Sequence, residues 1–275
     1  MSKIKIVSDS SSDVISISDV SYATAPLKII TDEKQYVDNA ELNAEQMATD
    51  LISYNGRSTT SCPSPEDWLF AFGDAEEIIC ITMTALLSGT YNTACIAKQI
   101  YEEKNPGRRV CVINSRSTGP EMALMIERIR EMILNDASFD DVCSAIDSYH
   151  TELLFVLSSM KNLANNGRVN KVAAKLAGIL GIRAIGKASE EGVLEMLDKV
   201  KGEANTVEAM LGYMKKNGYN GGRVNIAHCL NEGMAEKMKN VILTAFPNAQ
   251  TAVYKLRGLC SFYAEKGGML VGFEA

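Results

Sequence analysis

Apolar positions along the chain fall into two regimes. Up to about residue 150, short apolar runs alternate with helical stripes. Lys5–Ser8, Leu27–Ile30, Ile78–Met83 and Val110–Asn114 read as buried strands. Asn43 is a candidate N-cap for a helix to about Tyr54. Ser64-Pro65-Glu66-Asp67 is a strong helix start, with serine as cap, proline in the first turn and two acids at the positive end of the dipole. A helix from about Gly89 to Lys104 places Ala94, Ala97, Ile100 and Tyr101 on one face, and Met122, Met125, Ile126, Ile129 and Ile133 recur at helical spacing further on. Strands alternating with helices predict an α/β fold with a mainly parallel N-terminal sheet flanked by helices.

Beyond residue 150 the pattern changes. Leu153–Leu157, Ile182–Lys187, Val193–Leu197, Arg223–His228, Thr251–Leu256 and Met269–Phe273 read as strands, and Ser189-Glu190-Glu191-Gly192 as a hairpin turn. Two amphipathic helices separate the later strands. One carries Ala204, Val207, Met210, Leu211 and Met214, the other Met234, Ala235, Met238, Val241, Ile242 and Ala245. This half is expected to be an α+β domain with a roughly six-stranded mixed or antiparallel sheet. A boundary near Tyr149–Glu152 gives domains 1–150 and 151–275, in keeping with a length of 275 residues, which exceeds the usual single core. Asn165–Asn170 echoes Asn220–Asn225, but the flanks differ, so the two segments read as Gly-containing turns.

Composition narrows the function. A chain that is 46% hydrophobic and 23% charged is an ordinary folded protein. Its net charge of −6, without a Lys/Arg-rich run, argues against nucleic-acid binding and against a polybasic membrane-surface segment. Seven scattered cysteines, no C-x-x-C and two histidines leave no metal site to expect, and suit a reducing cytoplasm. The N-terminus enters a strand pattern at once instead of a signal peptide, and no apolar run has the length of a membrane span.

Three hydroxyl-rich segments sit where an open α/β sheet binds ligands, beyond the carboxyl ends of strands. Ser8–Asp13 follows the first strand. On its own it reads as a capping loop, with Ser10 carried as a candidate ligand contact. Thr59-Thr60-Ser61-Cys62-Pro63-Ser64-Pro65 places hydroxyls just before a helix. Leu86-Leu87-Ser88-Gly89-Thr90-Tyr91 opens another, where Ser88 can cap and Gly89 allows close approach. If both helices start at one sheet edge, Thr60, Ser61 and Ser88 surround one small anion. Neutral donors without a motif lysine suit a carboxylate better than a triphosphate, and neither phosphate-binding glycine loop occurs. Arg168, in Asn166-Gly167-Arg168, reads as an acid contact or a solvated charge. His228, ending a strand, reads first as structural. Thirteen methionines read mainly as core, and would also suit a deformable channel for an alkyl chain.

Several segments together resemble the DegV family of bacterial fatty-acid-binding proteins across nearly the whole chain. They are Ile6-Val7-Ser8-Asp9-Ser10-Ser11, Ala25-Pro26-Leu27-Lys28 leading to Tyr36-Val37-Asp38, Thr60-Ser61-Cys62-Pro63-Ser64, Leu87-Ser88-Gly89-Thr90-Tyr91, Asn114-Ser115 and Met160–Val169. The resemblance implies a ligand tunnel between two domains, with a long-chain fatty acid gripped by the hydroxyls of Thr60 and Ser88. It implies no catalysis and no cofactor beyond the bound lipid. Some members of the family present the lipid to a separate ATP-binding fatty acid kinase subunit, which would then be a partner. The chain departs from the family pattern at Cys62, Asn114, Arg183-Ala184 and Lys201, and most clearly at Ala264–Gly268, where a His-x-Gly-Pro-Gly turn is usual. Ala264 in the histidine's place predicts poor acyl-phosphate formation. Two other readings stay open: an enzyme acting on another small carboxylic acid, for which His228 is the one evident histidine base, and a lipid-sensing regulator that catalyses nothing.

Overall fold

The computed structural model describes residues 4–170 and 181–275. The first half runs β1 (Ile4–Asp9), β2 (Ser21–Ala25), β3 (Lys28–Thr31), β4 (Gln35–Val37), α1 (Ala44–Ser53), β5 (Ser58–Ser61), α2 (Pro65–Phe72), β6 (Glu77–Thr82), α3 (Thr90–Lys104), β7 (Arg109–Asn114), α4 (Pro120–Leu134) and α5 (Phe139–Ala145). The second runs β8 (Thr151–Leu157), α6 (Lys161–Asn165), β9 (Ile182–Ala188), β10 (Leu194–Lys201), α7 (Glu203–Lys216), β11 (Arg223–His228), α8 (Glu232–Ala245), β12 (Gln250–Lys255), α9 (Gly258–Ala264) and β13 (Met269–Glu274).

The first sheet has the order β2-β1-β6-β7, and its pairs are all parallel. Both of its faces are covered, so its central strands are apolar on both sides. Val7, Ile78 and Cys80 pack under Trp68, Ala94 and Ala97 of α2 and α3. Ile6, Ile79 and Ile81 pack on the other face against Met122, Ile126 and Ile129 of α4, with Val142 of α5. The predicted start of α2 forms as a capping box. Ser64 Oγ accepts from Asp67 N (3.2 Å), and the Asp67 carboxylate accepts from Ser64 N (2.9 Å).

One sequence expectation needs correcting. The Leu27–Ile30 run does form a strand, but β3 leaves the parallel sheet and pairs antiparallel with β4 and β5 in a separate three-stranded sheet. Only Pro26 and Leu27 separate β2 from β3, whereas a parallel return needs a crossover of about a dozen residues. The fourth place in the parallel sheet goes instead to β2, an edge strand of sequence Ser-Tyr-Ala-Thr-Ala.

The second sheet is mixed, in the order β10-β9-β8-β13-β11-β12, with β11 and β12 parallel and the other neighbours antiparallel. The predicted hairpin turn joins β9 to β10, with Gly192 N donating to Ser189 O at 2.8 Å. Along β8, Leu154 and Val156 bury against the α7 and α8 stripe, through Val207, Met210, Met234 and Met238. Leu153, Phe155 and Leu157 point the other way, into a cluster that includes Cys260 and Ala264 of α9. This alternation gives the sheet a second apolar face turned towards the N-terminal half.

Helix α9 lies between the halves. The Asp38 carboxylate accepts from Gly258 N (3.0 Å) and Leu259 N (2.8 Å), and Asp13 Oδ1 accepts from Arg257 N (2.8 Å). Two acids more than 200 residues away thus satisfy the open donors of this short helix.

Candidate ligand-binding site

Between the carboxyl edge of the parallel sheet and the inner face of the six-stranded sheet lies a narrow cavity of about 80 Å³, lined mainly by apolar side chains with a few convergent polar groups, as small-molecule sites are. Leu27, Met83 and Leu87 wall it from the first half, and Leu153, Phe155, Leu157, Leu163, Leu194 and Leu270 from the second. Leu259, Cys260, Tyr263 and Ala264 of α9 close one side. Phe155 has room because Gly186 lies opposite it in register. A Cβ on Gly186 would come within 2.3 Å of the phenyl ring.

Four polar side chains interrupt this lining, namely Thr60, Ser88, Thr118 and Arg168, together with the phenol of Tyr263. Thr60 and Arg168 both approach Tyr263, and Ser88 adjoins the residue whose carbonyl Arg168 holds. Thr60, on β5, shares a 2.8 Å hydrogen bond between Oγ1 and the Tyr263 hydroxyl. Arg168 places its guanidinium carbon 5.9 Å from the centre of the Tyr263 ring. It donates to Leu87 O (Nε, 3.2 Å) and to Asn166 O (Nη1, 2.5 Å). Ser88, next to Leu87, pairs with Thr90 Oγ1 at 2.7 Å and accepts from Thr90 N at 3.3 Å. Burial pushes the Tyr263 phenol above its ordinary value, while Thr60 and Arg168 oppose that rise. The phenol is therefore protonated at neutral pH. Hydroxyls and a guanidinium beside hydrocarbon make a site suited to an amphiphile with an acidic head.

The sequence-based candidates divide. Thr60, Ser88 and Arg168 all line the cavity. Ser10, Ser61 and Gly89 do not. Ser10 is buried with its Oγ accepting from Leu27 N at 3.0 Å, so it anchors a wall residue without facing the space. Ser61 is the last residue of β5 and pairs with Lys28. Gly89 caps α3 with ordinary helical backbone angles. The premise that both helices start at one sheet edge also fails. α3 follows β6 of the parallel sheet, while α2 follows β5 of the three-stranded sheet. The two segments meet nonetheless, because β3 carries β5 across beside α9.

Tyr263, Thr118 and Cys260 escaped the sequence reading. Thr118 Oγ1 and Cys260 Sγ lie 3.5 Å apart, and both approach Ser11 O. The loops around them are fixed by Asp9, whose Oδ2 accepts from Met83 N (2.7 Å) and whose Oδ1 accepts from Ser11 N (2.9 Å). Burial raises Asp9 to about 6 and the neighbouring Asp13 to about 8. His228 is buried, its Nδ1 accepts from Asn231 N at 3.3 Å, and burial lowers its pKa. It lies outside the cavity lining, as a structural histidine would. Of the methionines, Met83 alone lines the cavity among the described residues. Among the same residues no group of three or more His, Cys, Asp or Glu could hold a metal ion, and no helix is long and apolar enough to cross a membrane.

A parallel four-stranded sheet flanked by helices and a six-stranded mixed sheet, with an apolar cavity and its polar wall between them, define an α/β protein with an interior cavity. Residues 3–275 match the family of uncharacterised DegV proteins, and the chain belongs to that family. It is 39% identical to a DegV domain-containing protein of Streptococcus gordonii, over 98% of each chain. Its fold superposes with a TM-score of 0.97 on a DegV family protein from Eubacterium eligens loaded with heptadecanoic acid, at 40% identity over 99% of each chain. It superposes at 0.96 on the Fatty Acid Kinase B3 protein of Streptococcus pneumoniae loaded with linoleic acid, at 39% identity over 98% of this chain and 99% of the other.

Proposed function

We propose that the protein binds one long-chain fatty acid in this cavity, with the carboxylate at Thr60 and Ser88 and the alkyl chain along the leucine and Phe155 wall. The observation that carries the reading is the juxtaposition of Thr60, Ser88, Tyr263 and Arg168 beside an otherwise apolar interior. Two relatives near 40% identity, loaded with heptadecanoic and linoleic acid, support the same ligand class. Arg168 contributes a positive field near the head group, and the protein acts as a carrier without changing the lipid. Its place of work is the cytoplasm.

A second reading makes the chain a presenter, offering its lipid to an ATP-binding kinase subunit. The relation to a Fatty Acid Kinase B3 protein favours it. Ala264, whose methyl lines the cavity, offers no side-chain donor for an incoming phosphoryl group. Organic extraction of natively purified protein, followed by mass spectrometry, tests the shared core of both readings. About one fatty acid per chain is expected. Protein that yields none, and takes up none when offered several chain lengths, contradicts it.

A further inference from the structure

We propose that the Tyr263 phenol is a carboxylate-binding group of this site and makes the protein selective for free acids over their esters. This assignment rests on the fatty-acid reading above and deepens it.

The reasoning begins with hydroxyl protons. Thr60 Oγ1 and the Tyr263 hydroxyl share one hydrogen bond of 2.8 Å. Two hydroxyls bring two protons, and one is consumed between them. The other is left to donate. Ser88 and Thr90 form a second such pair at 2.7 Å. A carboxylate has two acceptor oxygens and no donor, so two hydroxyl pairs with a proton to spare match it in number and polarity. An ester lacks the charge that makes such bonds strong.

The phenol is also held in place from several directions. Its ring meets Phe262 edge-on, with centroids 4.9 Å apart. Helix α9, which carries it, is fixed at its start by Asp38 and Asp13. A phenol is the more acidic hydroxyl of its pair and the better donor. Thr60 can therefore give its proton to the phenol oxygen while the phenol donates to the ligand. In the reverse arrangement the phenol donates to Thr60 and strengthens Thr60 as the donor. Loss of the phenol oxygen weakens carboxylate binding in either case.

The test compares Tyr263→Phe with wild type, using delipidated full-length protein titrated with heptadecanoic acid and with its methyl ester. Phenylalanine retains the ring and its packing on Phe262. Thermal melts of both proteins check that the fold is kept. Affinity for the acid is expected to fall on the order of ten- to a hundredfold, with ester binding nearly unchanged. Wild type should prefer the acid, and Tyr263→Phe should lose most of that preference. Undiminished acid binding by the variant overturns the assignment. So does an equal loss for acid and ester, which would mark the tyrosine as a shape element. Wild-type protein that binds neither ligand overturns the fatty-acid reading itself, and this assignment with it.

Discussion

Replacing Thr60 with valine removes one hydroxyl and little else. Valine keeps the β-branch that suits β5, and the pairing of this position with Ile29 uses only backbone atoms. The lost interaction in the empty protein is the 2.8 Å bond to the Tyr263 hydroxyl. A neutral hydrogen bond contributes about 0.5–1.5 kcal/mol net. A chain of this size should then melt only a few degrees lower, at roughly 2–4 °C per kcal/mol. The cost in the loaded protein is larger, because the partner is then a carboxylate. Bonds to charged groups are worth about 1.5–3 kcal/mol, or roughly a ten- to hundredfold loss of affinity. Calorimetric titration of delipidated wild type, Thr60→Val and Ser61→Ala with one long-chain fatty acid separates site from surroundings. Ser61 neighbours Thr60 but does not line the cavity, so Ser61→Ala should bind as wild type does. If Thr60→Val also binds like wild type, or if Ser61→Ala shares its defect, the carboxylate is not held where this geometry puts it.

Three further outcomes follow from other parts of the structure. Gly186→Ala would set its Cβ against both the Phe155 ring and the Glu195 backbone carbonyl, and should therefore loosen the β9–β10 pairing and lower the melting temperature; an unchanged melt contradicts this. Asp13, Asp9 and Glu121 have folded values raised by burial to about 8, 6 and 7. The native state therefore binds more protons than the unfolded chain above pH 4, and stability should decline as pH rises from about 5 to 8. Asp13→Asn, which keeps an acceptor for Arg257 N and tolerates the left-handed backbone at this position (φ 61°), should flatten that decline in melts recorded across pH; an unaltered slope refutes the assignment to Asp13. Finally, lipid-loaded protein mixed with an ATP-dependent fatty acid kinase subunit from its own organism should form acyl phosphate slowly, and Ala264→His should speed it. Turnover equal to that of a histidine-bearing relative would show that another side chain serves.

The parts of the fold legible in the sequence were those stabilised by their own neighbours. β8 and β13 are apolar runs because both faces of the second sheet are covered, and the α7 and α8 stripes are read directly from helical spacing. β2 is a polar edge strand with no run to find. α9 is seven residues long and lacks a local cap, since its donors are met by Asp13 and Asp38 from the far end of the chain. The same distinction governs the site. Thr60 and Ser88 stand in local hydroxyl motifs, so a sequence reading can single them out, and both line the cavity. Tyr263 gains its meaning only from a contact 203 residues away in sequence. Ser10 carries the right chemistry, but its hydroxyl is occupied by the Leu27 amide.

The central claim is the orientation of an acid inside the cavity, and a crystal structure of the protein loaded with a single long-chain fatty acid tests it most directly. The carboxylate should lie within hydrogen-bonding distance of the Thr60 and Ser88 hydroxyls, with the alkyl chain running past Phe155 and Leu270. A carboxylate placed away from both hydroxyls, or a lipid bound outside this cavity, would contradict the account.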